Sequence, residues 1–388
     1  MGYQPDLQSV RRHRGPWQYG WRLLICGAPP NIPPQTRPAL RLSRIQGDGQ
    51  VDYRGVQLRV LEADALSYET DLLVLKHAQR SYGVDAKAVQ AAGINVAALP
   101  AIGQNLLVRE PSHVAPRNLL FIGLEPAHSF GYRSIRHFSR RAIAKANELL
   151  PSARDIAMTM HGIGFGLDET EAFESEVAGV IEALDADDYP SGLLTVTFVE
   201  QSASRAARMK SVLTPLLGAT ETRKRPEIGT TSEVRQPPRR IDTVGYDSAA
   251  RPHAFVAMPF TASFEDVFYY GISRSIRAAG LLCERVDQIH FTGDIIDRVK
   301  ERIASSTVVV ADLSDANPNV YLEVGYAWGV RRPCVLICNR QTDLKFDLRG
   351  ERCLFYGSIM ELEKTLSAEL AALSAQIPSW RPALRTGL

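Results

Sequence analysis

Long apolar runs are missing from the start of this 388-residue chain: the longest there, WRLLICGAPP, is broken by proline, while a membrane-spanning helix needs about 20 apolar residues. The stretch also lacks the cleavage pattern of a secretory signal, so the expected location is the cytoplasm, with no membrane partner. The five cysteines (Cys26, Cys283, Cys334, Cys338 and Cys353) form no CxxC pair, and no histidine stands at zinc spacing from them. That excludes a disulfide framework and a structural metal and fits a reducing compartment. A strong net charge is missing too. Lys+Arg 45 against Asp+Glu 43 gives a formal charge of +2, which supplies no global field for nucleic acid or acidic lipid. Internal repeats and low-complexity tracts are likewise missing.

What is present suits two compact domains. The length exceeds the usual 100 to 200 residues of one domain by about twofold, and the 45% apolar content can fill two cores. Residues 1–54 read as an arginine- and proline-rich arm, with Arg11, Arg12, Arg14, Arg22, Arg37, Arg41 and Arg44 against Asp6 and Asp48. A polar, proline-containing stretch without periodicity, 219–252, reads as an interdomain linker. Its basic residues are mostly offset by Glu221, Glu227, Glu233, Asp242 and Asp247, so they read as solvated linker charge rather than a nucleic-acid surface.

Between arm and linker, 55–218, apolar runs such as DLLVLKH, NLLFIGL, ARDIAMTM and LLTVTFVE alternate with helical patterns such as HFSRRAIAKANELL and EAFESEVAGVIEALD. That alternation predicts a layered α/β domain. In 253–388 the alternation is cleaner: strands at AFVAM, LLCERV, TVVVADL, CVLIC and CLFY, with helices between them and SIMELEKTLSAELAALSAQ at the end. Short continuous apolar strands joined by helices predict a parallel sheet covered on both faces. Right-handed crossovers then favour a flavodoxin-like, doubly wound order 2-1-3-4-5.

That order places a ligand crevice beyond the carboxyl ends of the first and third strands of the second domain. The first strand leads into Met258, Pro259 and Phe260, and the third into DLSDANPN. With Asn319 as N-cap of the next helix, Glu323 falls one turn later on the same face. Asn317, Asn319 and Glu323 then converge on the crevice, with Asp312 and Asp315 at its rim. Glu323 stands in YLEVGYAW, where Tyr321, Tyr326 and Trp328 would exclude water. A fixed carboxylate there can attack or stabilise an anomeric carbon as an N-glycosidic bond breaks. The competing reading pairs Glu323 with Arg285, Arg331 or Arg349 and gives it only a structural role. Asp294, opening DIIDRVKERI, is a ligand-binding acid or a helix cap, with the same choice at Asp266. Arg349 in FDLRG is a phosphate contact or an ion-pair partner.

In the first domain, MHGIGFGLDETEAF joins a strand to a helix through Gly162, Gly164 and Gly166, a pattern that can bring backbone amides to a phosphate. Asp168, Glu169 and Glu171 crowd the same helix terminus, and Asp168 with Glu171 reads as a capping box. On charge grounds the structural reading leads. His77, His113 and His161 read as satisfied histidines.

Several motifs carry family resemblance. AFVAMPF, TVVVADLSDANPNVYLEVGYAWG and FDLRGERCLFY, from His253 to about Gly357, resemble the superfamily that joins nucleoside 2-deoxyribosyltransferases to TIR-like domains. The resemblance implies that Glu323 is the sugar-carrying nucleophile. Asn317 stands where the transferases usually have a base-contacting aspartate, and Phe255 and Met258 replace the tyrosine and glycine of a YLAGPF-like strand. These departures favour the TIR-like branch, which cleaves or binds NAD or related nucleotides. LRVLEADALSYETDLLVLKHAQ, NLLFIGL and HGIGFGLDETEAF are similar to macro domains, especially the amino-terminal domain of leucine aminopeptidases, which implies an ADP-ribose-type ligand or a purely architectural role. The combined expectation is a nucleotide-directed N-glycosidase with a macro-like sensing or scaffolding domain. NAD is then a substrate, no cofactor or metal is required, the protein acts as a homo-oligomer, and prokaryotic antiphage defence is the setting. The alternatives are a non-catalytic nucleotide-binding signalling module and a nucleoside 2-deoxyribosyltransferase.

Overall fold

The computed structural model describes residues 49–81, 83–126, 129–162, 165–217, 240–286, 293–342, 352–377 and 380. They build two α/β domains. The first contains β1 (Gln50–Tyr53), β2 (Val56–Glu62), β3 (Leu72–His77), α1 (Gly83–Ala91), β4 (Asn105–Arg109), β5 (Asn118–Gly123), α2 (Tyr132–Leu149), β6 (Asp155–Thr159), α3 (Glu169–Asp185), β7 (Thr195–Glu200) and α4 (Ala203–Leu217). Its seven strands lie in the order β1-β2-β7-β6-β3-β5-β4. The inner pairs are parallel and the two edge strands, β1 and β4, run antiparallel to their neighbours.

Alternation along the strands divides this sheet into two apolar faces. Val74, Leu120, Ile122, Ile156, Met158, Val196 and Phe198 meet α2, α3 and α4 on one side. Leu73, Leu75, Leu119, Phe121 and Ala157 meet α1 on the other. β1 begins inside the segment read as an arm. β4 and α1 belong to stretches for which the sequence suggested no element.

The second domain holds β8 (His253–Ala257), a π-helical segment (Val267–Ser273) continued by α6 (Arg274–Ala278), β9 (Leu282–Glu284), α7 (Gly293–Ser305), β10 (Val308–Asp312), α8 (Pro318–Gly329), β11 (Cys334–Asn339), β12 (Cys353–Tyr356) and α9 (Ile359–Ser374). The strands are all parallel and lie in the order β12-β11-β10-β8-β9. Numbered within the domain this is the expected 2-1-3-4-5 arrangement. Ala254, Val256, Val308, Val310, Val335 and Ile337 face the π-helical segment, α6 and α9. Phe255, Ala257, Val309, Ala311 and Leu336 face α7 and α8.

The expected linker is in part a piece of the fold. Within 219–252, residues 240–252 are described. A short helix, α5 (Arg240–Thr243), sends Ile241 into the first domain's core together with Val244. Arg136, itself buried, donates to the carbonyls of Ile241 and Val244 at 2.9 and 2.5 Å. These two apolar side chains, with Arg240, Ser248 and Arg251 bonded to Glu171, anchor this part of an otherwise polar, aperiodic sequence.

The two domains are also clasped directly. Asp168, 2% exposed, caps α3 by accepting from the Glu171 amide at 3.0 Å. It also accepts from the Arg277 guanidinium at 2.9 and 3.1 Å and from the Cys283 amide at 2.9 Å. Burial pushes the Cys283 thiol up to about 12, so this cysteine is an inert packing group. Tyr132 at the start of α2 donates to Glu284 of β9 at 2.8 Å and accepts from the Asp168 amide at 2.8 Å. Glu169 binds Arg208 within its own domain and Tyr269 of the π-helical segment.

Candidate functional site

β8 and β10 are neighbours, so the loops that leave their carboxyl ends open on one crevice, as the strand order requires. On the β8 side Met258 and Pro259 are buried and Phe260 is half-buried. Arg285, just past β9, lies over them. Its guanidinium is 4.9 Å from the Phe260 ring centre and 3.9 Å from that of Phe268, and it reaches the Met258 sulfur at 3.7 Å. Two aromatic faces hold a cation by its attraction to their π electrons. The π-helical segment presents Phe268 to Arg285, an uncommon backbone form often found at functional sites. Sequence reading treated Arg285 only as a structural partner for Glu323. Its aromatic cradle depends on Phe260 and Phe268 meeting a residue after another strand, which local pattern does not reveal.

On the β10 side the loop is shaped by its own hydrogen bonds. Asn317, rather than Asn319, caps α8. Its side-chain oxygen accepts from the Asn319 amide at 2.9 Å. The reason is Pro318 at the first helical position, where a fixed φ and a missing N–H suit the helix. Asp315 and Ala316 both take left-handed backbone, with φ of 66° and 45°. Conformations of this kind cost about 1–3 kcal/mol each in non-glycine residues and cluster at ligand-binding turns. Asp315 and Asn319 are exposed at the mouth of the crevice.

Glu323 sits one turn into α8 and is 7% exposed. It shares the helix's inward side with the buried Val320, Val324 and Ala327, and α8 packs on β8, β10 and β11. Tyr321, Tyr326 and Trp328 pack partly buried against the same core. Asp315, Asn317 and Glu323 thus belong to the β10–α8 loop and helix, and Met258, Pro259, Phe260 and Arg285 to the chain beyond β8 and β9.

Asp312 does not sit at the rim. It is fully buried, with one oxygen accepting from the Ser314 amide at 2.9 Å and the other from the Tyr356 hydroxyl at 2.8 Å. Burial raises the pKa values of both Asp312 and Tyr356. Ser314 in turn accepts from the Asn339 amide at 2.8 Å. The group braces the β10–α8 loop from beneath, which takes Asp312 away from direct ligand contact. Asp294 falls in the first turn of α7. Arg349 and Gly164 lie outside the described residues. Asp266 is exposed and makes no capping hydrogen bond.

In the first domain, Gly162 and Gly166 have φ of 84° and 88° and flank the turn from β6 to α3. The amides at the head of α3 are already engaged, that of Asp168 by Tyr132 and that of Glu171 by Asp168. The Glu171 carboxylate turns to Ser248, Arg240 and Arg251 rather than completing a capping box. Phe165 bridges to Val286 of the second domain. Behind this turn His161 and Glu176 form a buried pair at 3.0 Å, and burial lowers the histidine's pKa and raises the glutamate's. Both shifts favour the uncharged forms.

Among the described residues there is no group of three or more His, Cys, Asp or Glu side chains placed to hold a metal, and no helix long and apolar enough to cross a membrane. No protein-family model matches the chain. No curated protein matches it by sequence. Solved structures similar to it include an Oceanobacillus iheyensis macrodomain with ADP, 15% identical over 44% of this chain and 97% of that one, with a TM-score of 0.36. A Trypanosoma brucei macrodomain in complex with ADP-ribose is 16% identical over 40% of this chain and 69% of that one, with a TM-score of 0.34.

Proposed function

We propose that the second domain breaks the N-glycosidic bond of a nucleotide, NAD or a close relative, with Glu323 at the anomeric carbon. What supports this reading is a carboxylate buried in an apolar helix, Glu323 at 7% exposure on α8, in a sheet whose strand order calls for a ligand at the carboxyl ends of β8 and β10. Arg285, held between two aromatic rings, is the nearby strand-end cation. In the reaction the bond between C1′ and the base nitrogen breaks and its electron pair leaves with the base. The Glu323 carboxylate stabilises or captures the oxocarbenium centre, and water completes hydrolysis. A nicotinamide leaving group departs neutral, so no acid is needed to protonate it. Arg285 suits the diphosphate, while Asn317 and Asn319 supply amides for sugar hydroxyls or base.

The first domain serves this reading as a scaffold or as a sensor for a nucleotide or ADP-ribose-type ligand. We place the activity in a homo-oligomer and in antiphage defence on the same reading. The test is to incubate the full chain with NAD, and separately with a deoxynucleoside plus a free base, and to follow products by chromatography at protein concentrations that allow assembly. Release of nicotinamide that falls at least about 100-fold in Glu323→Gln is expected, in line with loss of a nucleophile. Base exchange instead would identify a deoxyribosyltransferase. Identical, null profiles for both proteins on both substrates would leave a binding module without turnover and refute the catalytic reading.

A further inference from the structure

A cavity lies at the other end of the second domain's sheet from the β8 and β10 strand-end loops. It has a volume of about 510 Å³ and is lined by Gly131 and Tyr132 of the first domain, by the chain from Ser248 to His253, and by Arg298, Arg302, Ser306, Thr307 and Arg332 of the second. His253 opens β8 and Thr307 precedes β10, so the cavity sits at the amino ends of those strands. The crevice with Glu323 is at their carboxyl ends. Five residues of strand, roughly 16 Å, separate the two.

Three features give this cavity an anionic preference. Four guanidinium groups, of Arg251, Arg298, Arg302 and Arg332, line it against a single carboxylate, Glu284. Arg302 is committed to Glu284 at 2.7 Å and Arg251 to Glu171 at 2.5 Å. Among the described residues Arg298 pairs with Glu301, whose side chain is 59% exposed. The Nε atoms of Arg298 and Arg332 are buried without a hydrogen-bond partner, and Arg298 as a whole is 9% exposed. Those two Nε atoms are closed off from the cavity, so the donors that meet a phosphate there are the outer guanidinium N–H groups, whose planar fork suits phosphate oxygens.

The third feature is α2, an 18-residue helix whose amino terminus enters the cavity wall at Gly131 and Tyr132. Gly131 is its N-cap and no side chain caps it. Uncapped amides and the positive end of the helix dipole favour an anion there. The carboxyl end of α7, at Ser305, opposes this with its carbonyls, and Arg302 in its last turn is already neutralised by Glu284, so the anionic preference rests on Arg298, Arg332 and the head of α2.

We infer that the cavity is a binding site for a phosphorylated small molecule, a nucleoside diphosphate or inorganic pyrophosphate, distinct from the Glu323 crevice. The phosphates would lie between the head of α2 and Arg298 and Arg332, and the volume suits a nucleotide. Because both domains form the walls, an occupant binds the docked arrangement and stabilises it by linkage. The inference does not rest on the glycosidase reading.

The test uses the full chain and two probes, pyrophosphate and ADP, with adenosine as the phosphate-free control, read by calorimetry and thermal melting. Both anions are expected to bind and raise the melting temperature, with affinity falling as salt rises, while adenosine leaves this site empty. Arg298→Gln and Arg332→Gln should each weaken pyrophosphate at least tenfold, Arg332→Lys only a few-fold, and Glu323→Gln not at all. Should either glutamine variant fail to fold, Ser305→Asp puts a carboxylate at an exposed position on the rim and should weaken binding several-fold. Absence of pyrophosphate binding at millimolar concentration would overturn the inference. So would binding that is indifferent to the charge changes at positions 298, 332 and 305.

Discussion

Replacing Asp168 with alanine should uncouple the two domains. The carboxylate serves three donors at once: the Glu171 amide at 3.0 Å, the Arg277 guanidinium at 2.9 and 3.1 Å, and the Cys283 amide at 2.9 Å. Losing the helix cap costs about 1 kcal/mol. Leaving a buried amide without an acceptor costs about 1–3 kcal/mol. Arg277 has 38% of its side chain exposed, so its ion pair is discounted for solvent to about 1 kcal/mol. Together the loss is about 3–5 kcal/mol. The Glu171 and Cys283 amides bond different carboxylate oxygens, so Asp168→Asn keeps an acceptor for only one of them and gives up the charge, and its loss should be about 2–4 kcal/mol. Trp328 and Trp380 belong to the second domain. With Trp17 and Trp21 changed to phenylalanine, tryptophan fluorescence reports that domain alone while far-ultraviolet circular dichroism reports both. In urea the alanine variant should lose about 1–1.7 M in fluorescence midpoint at a slope near 3 kcal/mol/M. The two probes, coincident in the parent, should separate. An Arg277→Ala cycle isolates the ion pair. A midpoint within about 0.3 M of the parent, with coincident probes, would refute the clasp as a source of stability.

Other expectations rest on single contacts. Tyr356→Phe removes the hydroxyl that donates to Asp312 at 2.8 Å and should destabilise by about 1–3 kcal/mol, measured by urea unfolding; an unchanged midpoint would show that Asp312 finds another donor. Gly123→Ala would put a methyl 1.9 Å from the Ala101 carbonyl oxygen, a backbone collision, so a loss of at least about 2 kcal/mol or insoluble protein is expected, and near-parental stability would contradict the close approach. Burial, outweighing Glu284, lowers the pKa of His253 below 6.5. The unfolded chain therefore takes up a proton first as pH falls, and stability is lost below pH 6.5 at up to about 1.4 kcal/mol per unit. His253→Gln should flatten that part of the profile between pH 7.5 and 5.5, and an identical profile would rule the histidine out.

The second sheet was legible because parallel strands buried on both faces read as unbroken apolar runs, and VVVAD and CVLICN leave little else to choose. The crevice followed from topology alone. β1 and β4 were not legible. QVDY carries one buried residue, and NLLVR is half-buried or more exposed throughout, so edge strands of this kind show neither alternation nor a continuous run. Asn319 was favoured as N-cap because it precedes the apolar stretch; the proline at 318 was the local signal for Asn317. Asp312 read as a rim residue because its buttress, Tyr356, is 44 positions away. Arg277 is 109 positions from Asp168, and no window along the chain contains both.

GIGFGLDE shows how the same residues can satisfy two physical readings until the partner is in place. Glycines before a helix suit a phosphate, and acids at the helix start suit its dipole. In the folded chain a Cβ at Gly166 would meet the Val286 side chain at 2.9 Å, so this glycine admits the second domain to the turn. Asp168 and Glu169 reach Arg277 and Tyr269 of that domain, and Glu171 reaches Arg251 at its edge. Each acid is thus matched by a partner that the isolated first domain lacks. Left alone, Asp168 and Glu171 would be carboxylates with fewer hydrogen bonds and more water. The acids at the head of α3 therefore act as a docking key, and the electrostatic objection to a phosphate at that terminus becomes a positive account of why the carboxylates are there.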